Sequence, residues 1–188
     1  MFSPTDFTVA VDGALCQLQI AQESLARARC PEITNFSFNL NHLTSIMIDE
    51  MLAAIPTGYS NQTKGNDYIY IISIENEKKS LMPQLIAGLV KARSATAKDY
   101  SRVNAQHSDS GTLYVGRSKT LRARLKQHLG NGGQGVYSLH LERWATHHDA
   151  TLTVSFMCFN NQENLLVQSL EDGLWNSLKP AFGRKGER

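Results

Sequence analysis

The chain has 188 residues, 41% of them apolar, and a formal net charge of +2; it is long enough to bury a hydrophobic core and suits one domain with an elaboration or extension. The weak charge excludes a histone-like polycation, so any nucleic-acid contact must come from local clustering. The three cysteines, Cys16, Cys30 and Cys158, make no CxxC or zinc-finger pattern, and with no signal-like N-terminus and no apolar run of membrane-spanning length the expectation is a cytoplasmic protein without a membrane partner.

Residues 12–30 carry Leu15, Leu18, Ile20 and Leu25 at an imperfect helical period, and Pro31 ends that helix. Asn41 is a candidate cap for a second helix to about Ala54, stopped by Pro56 and Gly58. The polar, turn-rich segment Thr57–Asp67 marks a boundary. It divides the chain into a helical N-terminal extension, 1–66, and a second domain, 67–188, with an insert at about 75–111.

Tyr68–Ile74, YIYIISI, is aromatic and β-branched and reads as a buried strand. Leu81–Lys91 reads as a helix with Pro83 in its first turn, and a polar stretch follows from Ser94 to Gly111. Thr112–Val115 is a second strand. Thr120 is placed to cap a helix running to about Leu129 and ended by Gly130. After the glycine-rich run 131–135, Val136–Trp144 fits neither class cleanly. Leu152–Phe159 is a third strand, and Asn160 or Asn161 starts a last helix to Leu178, before Pro180. The order predicts an α+β fold with a small three-stranded antiparallel or mixed sheet flanked by helices. The long link between the first two strands leaves them free to pair antiparallel.

Two of these helices carry charge where packing prefers apolar side chains. At 100° per residue, Leu121, Leu125 and Leu129 form one stripe. Arg122 and Lys126 fall away from it, whereas Arg124 and His128, four apart, project together beside it. On the last helix, Leu166, Leu170, Leu174 and Leu178 mark the apolar side, Glu171 falls in the same arc between Leu178 and Trp175, and Asp172 points elsewhere. An inward carboxylate wants a cation, a metal or a raised pKa; a buried Glu171–Arg124 pair would also answer the pattern. Tyr70 and Tyr114 lie on strands, where a tyrosine is ordinarily core. The run Arg117–Lys126 holds five basic residues, Arg117, Lys119, Arg122, Arg124 and Lys126, and no acid, which suits either a solvated face or a nucleic-acid contact.

Taken together, Tyr68-Ile69-Tyr70, Leu113-Tyr114-Val115-Gly116, the continuation GRSKTLRARLKQHL and the last-helix run LEDGLWNSLKP resemble the GIY-YIG nuclease family. The likeness covers about Asp67 to Gly186, and its helical N-terminus and long insert resemble restriction-enzyme members more than compact repair modules. Tyr68 stands where the family's first motif has Gly, and Gly183 stands where it commonly has Asn.

The resemblance implies roles. Tyr70 and Tyr114 would lie side by side, one of them helping to deprotonate the attacking water. Arg117 would support the water or phosphate, Arg124 would bind the scissile phosphate, and His128 would orient a tyrosine hydroxyl or relay a proton. Glu171 would hold one divalent cation, magnesium or manganese. The implied activity is metal-dependent hydrolysis of DNA phosphodiester bonds, with double-stranded DNA as partner and a homodimer as the natural assembly of a double-strand cutter. A repair- or mobility-type nicking nuclease and a non-catalytic nucleic-acid-binding protein on the same fold are the alternatives.

Overall fold

The computed structural model describes residues 3–58, 64–96, 99–107, 109, 111–130, 132 and 135–186. Part of the boundary expected at 57–67 and part of the glycine-rich run 131–135 lie outside them. In chain order the elements are α1 (Pro4–Arg27), β1 (Ile33–Asn39), α2 (Ser45–Met51), β2 (Asn66–Ile74), α3 (Met82–Ala95), β3 (Thr112–Ser118), α4 (Leu121–Leu129), β4 (Thr151–Asn160) and α5 (Asn164–Leu178), with short 3-10 turns at Leu40–His42, Asn76–Leu81 and Leu141–Arg143.

The α1 helix starts eight residues before the expected 12, for a local reason. The Ser3 hydroxyl accepts the Asp6 amide at 3.2 Å, the Asp6 carboxylate accepts the Ser3 amide at 2.8 Å, and Pro4 opens the first turn. This reciprocal cap supplies two of the amides a helix start leaves unpaired. The second helix begins later than expected. Thr44, rather than Asn41, caps it by accepting the Met47 amide at 3.3 Å, because Asn39 has already drawn Asn41 into a 3-10 turn.

The sheet has four strands in the order β1-β4-β2-β3, which corrects the expected three. Every pairing is antiparallel, including the pairing of β2 with β3 across the long connection. The additional strand, β1, comes from the segment expected to be only helical. It aligns Phe36 with Val154 and Phe38 with Leu152 on one face, while Ser37 faces Thr153. Tyr70, Ile72 and Val154 point into the main core, where Leu121, Leu125 and Leu129 of α4 and Leu85 and Leu89 of α3 are at most 1% exposed. Each such leucine contributes roughly 1.5–3 kcal/mol by leaving water. The opposite face carries Ile69 and Phe159 against Val167 of α5. No helix of the described residues is long and apolar enough to cross a membrane.

The insert after α3 does not leave the domain. Val103 forms an antiparallel bridge with Phe182, Asn104 donates its amide to the Ala181 carbonyl at 2.9 Å, and Tyr100 bridges Ser138. Ala181 and Phe182 in turn donate to Thr112 and Leu113 of β3. The C-terminal segment is thus sewn between β3 and the insert.

Candidate active site

Register brings the two tyrosines together. Gly116 pairs directly with Tyr70, and Tyr114 pairs with Ile72, so the phenols are diagonal neighbours on one face. Their rings stack with centroids 6.0 Å apart and an angle of 11°. Gly116 makes this possible: a Cβ there would lie 2.6 Å from the Tyr70 hydroxyl and 2.7 Å from the Tyr114 ring. Gly183 is the second such position. Its φ is +102°, and a Cβ there would lie 2.7 Å from Tyr114 Cε2, so the missing side chain leaves room for the Tyr114 ring.

The α4 helix aims Arg124 and His128 at these phenols. Arg124 Nε donates to the Tyr70 hydroxyl at 3.3 Å and Nη2 to the Tyr114 hydroxyl at 3.2 Å. Nη2 also donates to the Tyr137 carbonyl at 2.9 Å, and Nη1 to Gln127 Oε1 at 3.0 Å. A guanidinium has five N–H groups, so one remains for a further acceptor. His128 is fully buried. Its Nδ1 accepts the Leu139 amide at 3.3 Å, which places the proton of the neutral ring on Nε2, 3.0 Å from the Tyr70 hydroxyl. Burial, with the charge of Arg124 beside it, holds His128 well below its ordinary pKa and keeps it neutral. The Tyr70 oxygen therefore accepts N–H groups from both His128 and Arg124. Burial nevertheless pushes the Tyr70 pKa up, reinforced by Tyr114 and opposed by Arg124, so the phenol of the free protein is protonated.

Glu171 sits on α5, buried at 8% exposure, and accepts from Gln168 Nε2 at 3.2 Å. It lines a cavity of about 800 Å³ together with Tyr70, Tyr114, Arg124, Lys119 and Asp67. Asp67, at the end of the polar segment 57–67, is a site residue that sequence pattern alone does not single out. The available signal was an acid at the start of an apolar strand. Its Oδ2 holds Arg117, and its Oδ1 is buried with no hydrogen-bond partner among the described residues. Among the described residues no group of three or more His, Cys, Asp or Glu is placed to cage a metal. One or two carboxylates in an open polar cavity, without thiolate or free imidazole, fit a hard cation that keeps water and phosphate ligands.

The remaining basic candidates separate. Arg117 lines the same cavity, but its five N–H groups are engaged: two by Asp67 Oδ2, two by the carbonyl and side chain of Asn164, and one by Gln168 Oε1. It ties β2, β3 and α5 together. Lys119 is exposed at the cavity edge. Arg122 does not line this cavity, and Lys126 pairs with Asp49 at 2.6 Å on the exposed side of α4.

Comparison with protein families supplies an independent line. The family model described as the GIY-YIG catalytic domain matches residues 105–185, which takes in Tyr114, Arg117, Arg124, His128 and Glu171 and leaves Tyr70 to be supplied by β2. No curated protein and no solved structure matches the chain. A GIY-YIG catalytic domain is therefore present over part of this protein, residues 105–185.

Proposed function

We propose that the protein is a metal-dependent endonuclease that hydrolyses DNA phosphodiester bonds, restriction- or defence-like in use. The observation that carries this reading is the Tyr70 hydroxyl, which takes one N–H from Arg124 and one from His128 beside a stacked second phenol, in a cavity that Glu171 also lines.

Phosphodiester hydrolysis needs an activated water and compensation of charge on the phosphate and the leaving oxygen. Arg124 has an N–H left for a phosphate oxygen, and its charge is already half-buried beside both phenols. With two donors on its oxygen, the Tyr70 phenol directs its own hydrogen elsewhere, and those donors compensate the phenolate when the proton leaves. Once the Tyr70 hydrogen has passed to solvent, the phenolate oxygen is the group that can take the proton of the attacking water. His128 fixes the phenol's orientation, and its own tautomer is fixed by the Leu139 amide. Tyr114 stacks on Tyr70 and shares Arg124 with it. Glu171, with Asp67 nearby in the same cavity, would hold magnesium or manganese, which when bound supplies positive charge to the phosphate and the leaving oxygen. A double-strand break by one site per chain calls for a homodimer.

Supercoiled plasmid tests this reading. The protein with magnesium is expected to nick and then linearise it, and EDTA is expected to stop the reaction. Discrete fragments mark restriction, and a single nick marks a repair- or mobility-type activity. No cleavage of any DNA or RNA sinks the reading and leaves a binding protein.

A further inference from the structure

A second cavity, of about 580 Å³, opens beside the first and shares Tyr114, Arg124 and Arg184 with it. Arg93 of α3, Arg102 of the insert and Arg184 of the C-terminal segment converge on it, and no carboxylate lines it. Glu171 and Asp67 line the first cavity and not this one. Among the described residues none of these three arginines takes part in an ion pair.

Their convergence is imposed by the fold. Gly183 donates its amide to the Arg102 carbonyl at 2.8 Å, and the neighbouring Val103–Phe182 bridge fixes the two segments antiparallel. That bridge places Arg102 opposite Gly183, next in the chain to Arg184, and both arginines line the cavity although 82 positions separate them in sequence. Guanidinium groups gathered without a counter-charge repel one another, and an extended polyanion relieves that repulsion at several points at once. Arg124, which belongs to both cavities, joins the two. At the rim stands Tyr137, 62% exposed, whose carbonyl is held by Arg124. An exposed ring so placed offers a stacking face to an unpaired base.

We propose that Arg93, Arg102 and Arg184 form a phosphate track that receives the nucleic-acid backbone next to the scissile position, with Tyr137 as a stacking surface at its edge. The track rests on the nuclease reading and assigns a strand path to it. It uses the insert, which is thereby a part of the substrate surface rather than a spacer.

The test is fluorescence anisotropy with a labelled random-sequence DNA duplex in EDTA, titrated with salt. Replacing all three arginines by Ala is expected to weaken binding at least about tenfold at low salt and to lower the slope of log K against log salt by about 2–3, near 0.9 per lost phosphate contact. The corresponding triple Lys variant is expected to keep most of the slope, and Arg27→Ala on α1 to change nothing. Tyr137→Ala is expected to weaken single-strand binding without altering the slope. Because the three side chains are exposed, melting temperature checks that the Ala variant remains folded. A wild type that binds or cleaves DNA, with an Ala variant of unchanged slope and affinity, overturns the track and leaves the nuclease reading standing. A wild type that neither binds nor cleaves overturns both.

Discussion

The His128 imidazole joins a backbone amide to a phenol: Nδ1 takes the Leu139 N–H at 3.3 Å, and Nε2 lies 3.0 Å from the Tyr70 hydroxyl. One neutral tautomer serves both contacts. His128→Ala would strand both groups in the interior, at about 1–3 kcal/mol for each unpaired group. The expected outcome is a clear loss of melting temperature together with a fall of at least about a hundredfold in cleavage rate, the lower range for a positioned proton-transfer group. An unchanged rate in a folded variant would remove His128 from the mechanism.

The same burial makes a pH prediction. His128 titrates near 6.5 when unfolded and well below that in the folded protein. The unfolded chain therefore binds the extra proton first as pH falls. The contribution of His128 to stability is complete above about pH 6.5 and is lost as pH drops toward the folded pKa, at up to about 1.4 kcal/mol per unit. His148, also lowered by burial, acts in the same direction. Denaturant unfolding between neutral and mildly acidic pH should show this decline, and His128→Gln should flatten part of it. Equal slopes in the two proteins would count against a neutral buried His128.

Two glycines define how closely the tyrosines pack. Gly116→Ala puts a methyl 2.6 Å from the Tyr70 hydroxyl, and Gly183→Asn adds a side chain at φ +102° against the Tyr114 ring. Overpacking and backbone strain of this kind cost about 1–3 kcal/mol. Both variants are expected to melt earlier and to cleave more slowly, Gly183→Asn included, although Asn is the residue common at the matching place in the family. A gain of activity in Gly183→Asn would show that the backbone there adapts.

Arg117 is expected to behave as a strut rather than as a phosphate ligand. Its partner Asp67 is buried, and Arg117→Ala would leave that carboxylate unpaired, a loss of about 3–5 kcal/mol. The double variant with Asp67→Ala should recover a large part of the loss, as a double-mutant cycle on melting temperature would record. A variant of unchanged stability but weakened DNA binding would assign Arg117 to the phosphate instead.

Helical phase made much of this site legible in the sequence. Arg124 and His128 lie beside leucines that the structure buries, Glu171 is itself buried although Leu170, Leu174 and Leu178 of its arc are only partly so, and the aromatic strand around Tyr70 announces itself by composition. What escaped depends on contacts distant in the chain. The β1 strand has only Phe36 and Phe38 alternating with polar residues, too short a signal beside two helices, and it is stabilised by pairing with β4 more than a hundred residues on. Asp67 lay in a polar segment, and its meaning comes from Arg117 across the β2–β3 ladder. Arg102 and Arg184 look like unrelated loop residues until the Val103–Phe182 bridge brings their segments together at one cavity.

The most direct measurement is single-turnover plasmid cleavage by wild type and Glu171→Ala across a magnesium titration, with both proteins shown to be folded by their melting curves. Cleavage that rises with magnesium in the wild type and stays at background in the variant at every concentration is the predicted result. Equal cleavage by the two proteins would contradict the account.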